Sequence, residues 1–299
     1  MVFRANRLVS DVGSSIESLP PIVDSHVHVF SPHVFSNRES LVKTDRWFGE
    51  LYANPNAALA CADDLIESMD QSEIGISVLC GFPWSDAGLC ADHNDYMAVS
   101  AGEHSSRIRW LATVLPSDPG AASEAEKCFR AGAAGIGELN ADGQGFDLAE
   151  PDDFAPIVEI CEEWDRPIMF HVSEPVGHSY PGKGSATPDR LLTFLERFPN
   201  VRVIAAHWGG GLPFYELMPE VARHTRNVVY DSAATTYLYR FPVFRSVIEL
   251  AGARRVLFGS DFPVLGQERL TKRVKRLSLA EDTFNLVMSE NAREVFRIA

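Results

Sequence analysis

The chain lacks the features that mark several large protein classes. Only five of its 299 residues are cysteines: Cys61, Cys80, Cys90, Cys128 and Cys161. They are scattered, with no CxxC pair, so the sequence encodes neither a disulfide framework nor a cysteine-rich zinc module. An odd, unpatterned count points to a reducing compartment, and Cys80 and Cys161, set among apolar neighbours, are expected in the core. No apolar run is long enough to cross a bilayer. Residues 1–18 hold arginines but no apolar core of a signal peptide, so the expected location is the cytoplasm. Positive charge is scarce as well: 27 Lys and Arg against 41 Asp and Glu leave a formal charge of -14. That balance argues against nucleic acid and anionic membranes as main partners; it says little about the substrate, which is expected to be a small molecule. No serine nucleophile elbow, Cys-His pair or phosphate-binding glycine loop stands out.

What is present is a regular alternation. Strand candidates are Ile22–Val29, Ile76–Phe82, Ile108–Leu115, Ala133–Asn140, Pro167–Ser173, Val201–His207, Asn227–Ser232 and Val256–Ser260. Amphipathic helical stretches lie between them, among them Ala62–Gln71, Ala121–Ala131, Phe154–Trp164, Pro188–Arg197, Pro213–Arg223 and Val243–Ala251. Eight strands, each followed by a helix, predict a (β/α)₈ barrel, with a doubly wound sheet as the alternative. No linker or repeat interrupts the alternation, so residues 1–299 are expected to form one domain. The longest irregular piece, residues 30–60, carries Phe35, Trp47, Phe48 and Tyr52, which are expected either to cap a pocket or to join a subunit interface. A final helix is expected to start at an N-cap on Ser289.

The most informative feature is His26-Val27-His28 on the first strand. Residues two apart on a strand point the same way, so two imidazoles stand side by side on one face, which is half of a metal site. Other polar residues close apolar runs at later strand ends: Glu138 on the fourth, His171 on the fifth, His207 on the sixth and Asp261 on the eighth. In a barrel, catalytic groups come from these ends. Asp24 is expected to point inward, as a buried hydrogen-bonding group or a support for the histidines. The Gly/Pro-rich loop after the fifth strand offers His178, Tyr180 and Lys183 as substrate contacts, and Trp84, Trp208 and Arg240 are weaker candidates. The run Gly209–Gly211 either brings backbone close to ligand or makes a turn. His33, His93, His104 and His224 read as surface or packing residues.

The HxH, the strand-five and strand-six histidines and the Gly259-Ser260-Asp261-Phe262-Pro263 motif together resemble the amidohydrolase superfamily. The resemblance is in particular to its amidohydrolase-related (amidohydrolase 2) branch, which holds aminocarboxymuconate-semialdehyde decarboxylase-like enzymes, resorcylate-type decarboxylases and lactone hydrolases. The resemblance implies a distorted (β/α)₈ barrel with a divalent metal, commonly zinc. It assigns His26, His28, His171 and Asp261 as ligands and His207 as the catalytic histidine beside them. Such a donor set suits zinc, with manganese or iron as alternatives. Glu138 stands where many binuclear members carry a carboxylated lysine, so a second metal, proton transfer and substrate binding all stay open for it. A homo-oligomer also stays open, since relatives form dimers or larger assemblies.

The leading expectation is a metal-dependent hydrolase of an amide, ester or lactone. A metal-activated water attacks the carbonyl, Asp261 carries the proton and His207 steadies the oxyanion. The alternative is metal-dependent, non-oxidative decarboxylation of a carboxylated ring or dienoate by the same constellation. A third reading is a non-catalytic binding protein with a closed structural metal.

Overall fold

In the computed structural model, which describes residues 21–299, eight short runs rich in Val, Ile and Leu form parallel strands. These are β1 (Ile22–Val27), β2 (Ile74–Leu79), β3 (Ile108–Trp110), β4 (Ile136–Leu139), β5 (Ile168–Phe170), β6 (Val203–Ala205), β7 (Val228–Asp231) and β8 (Val256–Leu257). Neighbours in sequence pair in space, β1 to β3 in one sheet and β4 to β8 in another. Parallel bridges Val27–Phe262 and Ala112–Ile136 join the two sheets. Backbone hydrogen bonds reinforce the seams, from Ser25 N to Phe258 O (2.8 Å), His28 N to Phe262 O (2.7 Å) and Ala112 N to Gly135 O (2.9 Å). The result is the expected distorted (β/α)₈ barrel. The reading of residues 1–18 lies outside the described residues. Among those described, no helix is long and apolar enough to cross a membrane.

All eight strands fall where the apolar runs place them, but most stop short of the expected C-terminal end. The pairing register shifts between Asp24 and Val27 on β1 and between Ile136 and Leu139 on β4. Bulges of this kind re-aim side chains, and here they coincide with the HxH pair and Glu138. Inside the barrel, Val23, Val78, Leu111, Met169, Ile204 and Leu257 form one buried cluster with Val295 and Phe296 of the last helix. Cys80 and Cys161 are buried as expected.

Two helix expectations are corrected. Pro213–Arg223 is not one helix: the chain turns through a left-handed run at Trp208–Gly211, and the helix covers Pro219–His224. That run is a close-packed turn, since a Cβ on Gly210 would stand 2.4 Å from Ser173 O. Ser289 is not an N-cap, because helical backbone already runs through residues 286–290 and its hydroxyl donates to Pro21 O at 2.8 Å.

The 30–60 segment folds into three short helices, Pro32–Ser36, Arg38–Thr44 and Arg46–Tyr52. Asp45 caps the third by accepting from Phe48 N (2.8 Å), and its other oxygen accepts from Ser85 N (2.9 Å), which ties the insert to the loop after β2. Phe48 stacks on Trp84 with centroids 5.2 Å apart, beside Phe30, Tyr52 and Phe82. Of the two expectations for this segment, capping the pocket holds for Trp47 and Tyr52, while Phe35 is exposed.

Behind β6, Glu216 anchors the segment that follows His207. Its side chain is 5% exposed and takes both Arg255 guanidinium nitrogens and the Tyr230 hydroxyl. Arg255 also donates to Val228 O at 2.9 Å. Removing one partner strands a buried charge, so Arg255→Met is expected to cost about 3 kcal/mol. Urea unfolding checks this; an unchanged midpoint would show that Glu216 finds other partners.

Candidate active site

His26 and His28 leave β1 on the same side, with ring nitrogens Nε2 3.1 Å apart. Each ring is fixed from behind. His26 Nδ1 donates to Asp231 Oδ2 at 2.8 Å, and His28 Nδ1 donates to Cys80 O at 3.1 Å. Both protons therefore point away, and two Nε2 lone pairs face each other. That arrangement is repulsive unless a cation lies against both. Asp261 Oδ1 lies 3.9 Å from His26 Nε2 and 3.7 Å from His28 Nε2. Glu138 Oε2 lies 3.6 and 3.7 Å from the same two atoms.

Charge points the same way. Burial disfavours an ionised Glu138, yet the rings of His26 and His171 hold its carboxyl well below the usual range. Burial likewise opposes a charged His26, yet the neighbouring Cys80, Asp231 and Glu138 raise its proton affinity well above the ordinary imidazole value. His28 is pushed down by burial and by its neighbour His26, which keeps it neutral and able to donate a lone pair. Three carboxylates around His26 make a buried negative well, which a proton fills on one ring or a divalent ion fills across the group. The donor set, two imidazoles and two carboxylates, fits a borderline or hard divalent ion and contains no thiolate.

Glu138 also faces the other side of the site. His171 Nδ1, His207 Nε2 and Glu138 Oε1 form a triangle with every side 3.1 Å. His171 Nε2 donates to Gly182 O at 2.9 Å, so its Nδ1 lone pair and Glu138 Oε1 share the proton on His207 Nε2. Burial alone lowers His207, but the hydrogen bond to Glu138 and that carboxylate's charge push it up to about 9. The structure thus forms two overlapping groups of donors, His26, His28 and Asp261 in one and His26, Glu138 and His207 in the other, with His171 joined to the second through Glu138.

Two of these residues hold strained backbone. His207 has φ +58° and Asp261 φ +70°, left-handed values uncommon outside glycine. The strain is held by His207 N donating to Asp231 Oδ1 (2.9 Å) and Asp261 N donating to His26 O (2.9 Å). Such residues cluster at functional sites.

Asp231 was not among the residues singled out from the sequence, although it too ends a strand. It fixes the His26 ring and the His207 backbone at once, and its carboxyl is held low by His26 against the effect of burial. Asp24 proves to be a support. It accepts from Ser260 N (2.9 Å) and Gln267 Nε2 (2.8 Å), and burial raises it to about 6.

The cluster forms the base of a cavity of about 530 Å³ lined also by Trp47, Tyr52, Phe82, Tyr180 and Leu238. Four expected substrate contacts lie elsewhere. Trp84 is buried in the aromatic cluster under the insert. Lys183 Nζ donates to Val176 O (2.8 Å) and His178 O (3.3 Å), which folds the loop on itself and keeps both side chains off the cavity wall. Arg240 is exposed and is not a wall residue. Tyr180 reaches the wall, with its hydroxyl donating to Glu174 Oε2 at 2.9 Å. Trp208 is buried and donates to Thr235 Oγ1. His93 is a packing residue, pushed down to about 3 by burial.

These features define a barrel with a histidine-carboxylate centre at its C-terminal mouth. A family model for amidohydrolases (Amidohydro_2) matches residues 23–298, and the chain belongs to that family. Over 274 residues it is 23% identical to a 2-amino-3-carboxymuconate-6-semialdehyde decarboxylase from Dictyostelium discoideum, covering 78% of this chain and 75% of that protein. Over 199 residues it is 27% identical to a 6-methylsalicylic acid decarboxylase from Penicillium expansum, covering 56% of this chain and 61% of the other. The solved 5-carboxyvanillate decarboxylase from Sphingomonas paucimobilis superposes with a TM-score of 0.78 at 19% identity, over 94% of this chain and all of that one. That of Novosphingobium aromaticivorans, complexed with manganese, gives 0.77 at 18% identity, over 93% and 96% of the two chains. The expectation of a hydrolase is corrected here, because these relatives are decarboxylases. The manganese complex likewise gives no support to zinc in particular.

Proposed function

We propose that the chain is a metal-dependent, non-oxidative decarboxylase of a small carboxylated ring. The observation that carries this is the convergence of His26, His28, Asp261 and Glu138 at the base of a ring-sized cavity, with a proton-bearing His207 beside them. The named activities of the relatives select decarboxylation over hydrolysis, which the same constellation also suits. His26, His28, Asp261 and Glu138 would hold the divalent ion, with His171 closing the set through Glu138. When bound, that ion supplies fixed positive charge that binds and orients the acid's oxygens.

The chain's own residues supply the proton. His207 gives it to the ring carbon that bears the carboxylate. The bond to the carboxyl carbon then breaks, its electron pair returns to the ring, and carbon dioxide leaves. A C–H bond remains, so no oxidant or reductant is consumed. Glu138 and His171 hold the proton on Nε2 beforehand, and Asp231 keeps the His207 backbone in place. Trp47, Tyr52 and Phe82 offer a flat ring an aromatic wall to lie against.

The test supplies manganese-loaded protein with a panel of ¹³C-carboxyl hydroxybenzoates in deuterium oxide. The expected result is labelled carbon dioxide and ring product in equal amounts, with one deuteron on the vacated carbon. Uptake of water into a cleaved carbonyl product, or no carbon dioxide from any ring acid, would overturn the reading.

A further inference from the structure

Away from the histidines at its base, the cavity wall is one-sided in charge. Among the described residues no lysine or arginine lines it, and the acidic groups on it are Glu138 and Asp261 at the base and Glu50 at the rim. The nearby cations are engaged elsewhere. Arg38, on the same insert, donates to Tyr52 O (3.0 Å), Asn54 O (2.7 Å) and Ala57 O (3.1 Å), and this fork shapes the rim from behind. Lys183 is tied to backbone carbonyls of its own loop. The rest of the wall is mainly apolar, with Trp47, Leu51, Phe82, Leu238 and Val264, and its polar side chains, Asn54 and Asn56 among them, are neutral.

Glu50 is exposed to solvent and tethered through one carboxylate oxygen. Its Oε1 accepts from Gly182 N at 3.2 Å, while Gly182 O accepts from His171 Nε2 at 2.9 Å. One residue therefore separates the rim carboxylate from the ring at the base. A substrate seated with its reacting carboxylate at the base directs its far substituent along the apolar wall toward Glu50. A neutral substituent gains from burial there. A second carboxylate gains no countercharge there and meets the like charge of the exposed Glu50.

We propose that this cavity selects rings with a single carboxylate and neutral, mainly apolar substituents, and that Glu50 is a specificity-determining residue that rejects a second anionic group. This rests on the decarboxylase reading. The test compares 2-hydroxy-4-methylbenzoate with 2-hydroxyterephthalate, which differ only in a methyl or a carboxylate opposite the reacting group. Affinities are measured by calorimetry on manganese-loaded protein and on protein stripped of metal, together with carbon dioxide release. The methyl compound is expected to bind roughly tenfold more tightly in both forms, from lost apolar burial together with a screened like charge at the exposed Glu50. Glu50→Lys is expected to bring that ratio below about threefold by strengthening the terephthalate, with Glu50→Gln intermediate. A wild-type ratio near one, a preference for the terephthalate, or a ratio unmoved by Glu50→Lys overturns the inference. Binding of neither compound, with no carbon dioxide from any ring acid, instead overturns the decarboxylase reading beneath it.

Discussion

His28→Ala is expected to abolish tight binding of a divalent ion and, with it, turnover. His28 is the better probe of the pair. His26 is fully buried and holds the Asp231 carboxylate, so removing it strands a charge and confuses a folding defect with a binding defect. His28 stands at the cavity wall and gives up a single hydrogen bond, to Cys80 O. Loss of a group that merely supports a ligand lowers metal affinity 10–100-fold, so loss of a ligand itself is expected to cost at least roughly 100-fold. Equilibrium dialysis against manganese, read by elemental analysis, measures this. The wild-type protein is expected to hold one ion per chain. At an ion concentration about 100 times the dissociation constant, binding stabilises the fold by roughly 2.7 kcal/mol, which raises the melting temperature by roughly 5 °C. His28→Ala is expected to show no such rise. Unchanged affinity in the variant would remove these two histidines from the metal site. Two ions in the wild type would give the triangle of His171, His207 and Glu138 an ion of its own.

How far the sequence reaches differs by element. The eight strands are legible because buried parallel strands are continuous apolar runs, and the mouth is legible because polar residues end those runs. Helix Ala87–Glu103 is harder to see. Its buried face is built from Cys90, His93, Asn94, Met97 and Ser100, so it carries no apolar stripe. The break at Trp208–Gly211 is hidden because left-handed backbone at Trp208 is imposed by packing rather than by its side chain. Within the site, single-residue chemistry is readable while pairwise chemistry is not. Nothing local reveals that Asp231 bonds both the His26 ring and the His207 backbone, 205 and 24 residues away. The same holds for Lys183 and Arg240. A cation on a loop near a mouth has the right composition for an anion contact, but only the fold shows where its nitrogens are spent.

His207→Asn tests the other half of the centre and separates proton delivery from metal binding. The ring is not a member of the group His26, His28 and Asp261, so its loss leaves those three donors in place, although its donor atom also lies within 4.8 Å of those of His26 and Glu138. Asparagine keeps a hydrogen-bond donor for Glu138 and tolerates the left-handed backbone at this position. It cannot hold a transferable proton near neutral pH. General-acid groups contribute 10²–10⁴-fold, so kcat is expected to fall by about 10³ with metal content unchanged and KM changed less than threefold. Glu138→Gln makes the matching comparison. It weakens both sides of the site, so metal content and kcat are expected to fall together. If His207→Asn loses metal as His28→Ala does, the imidazole is a ligand, and the proton must come from another group at the cavity base, where Asp261 is the remaining candidate.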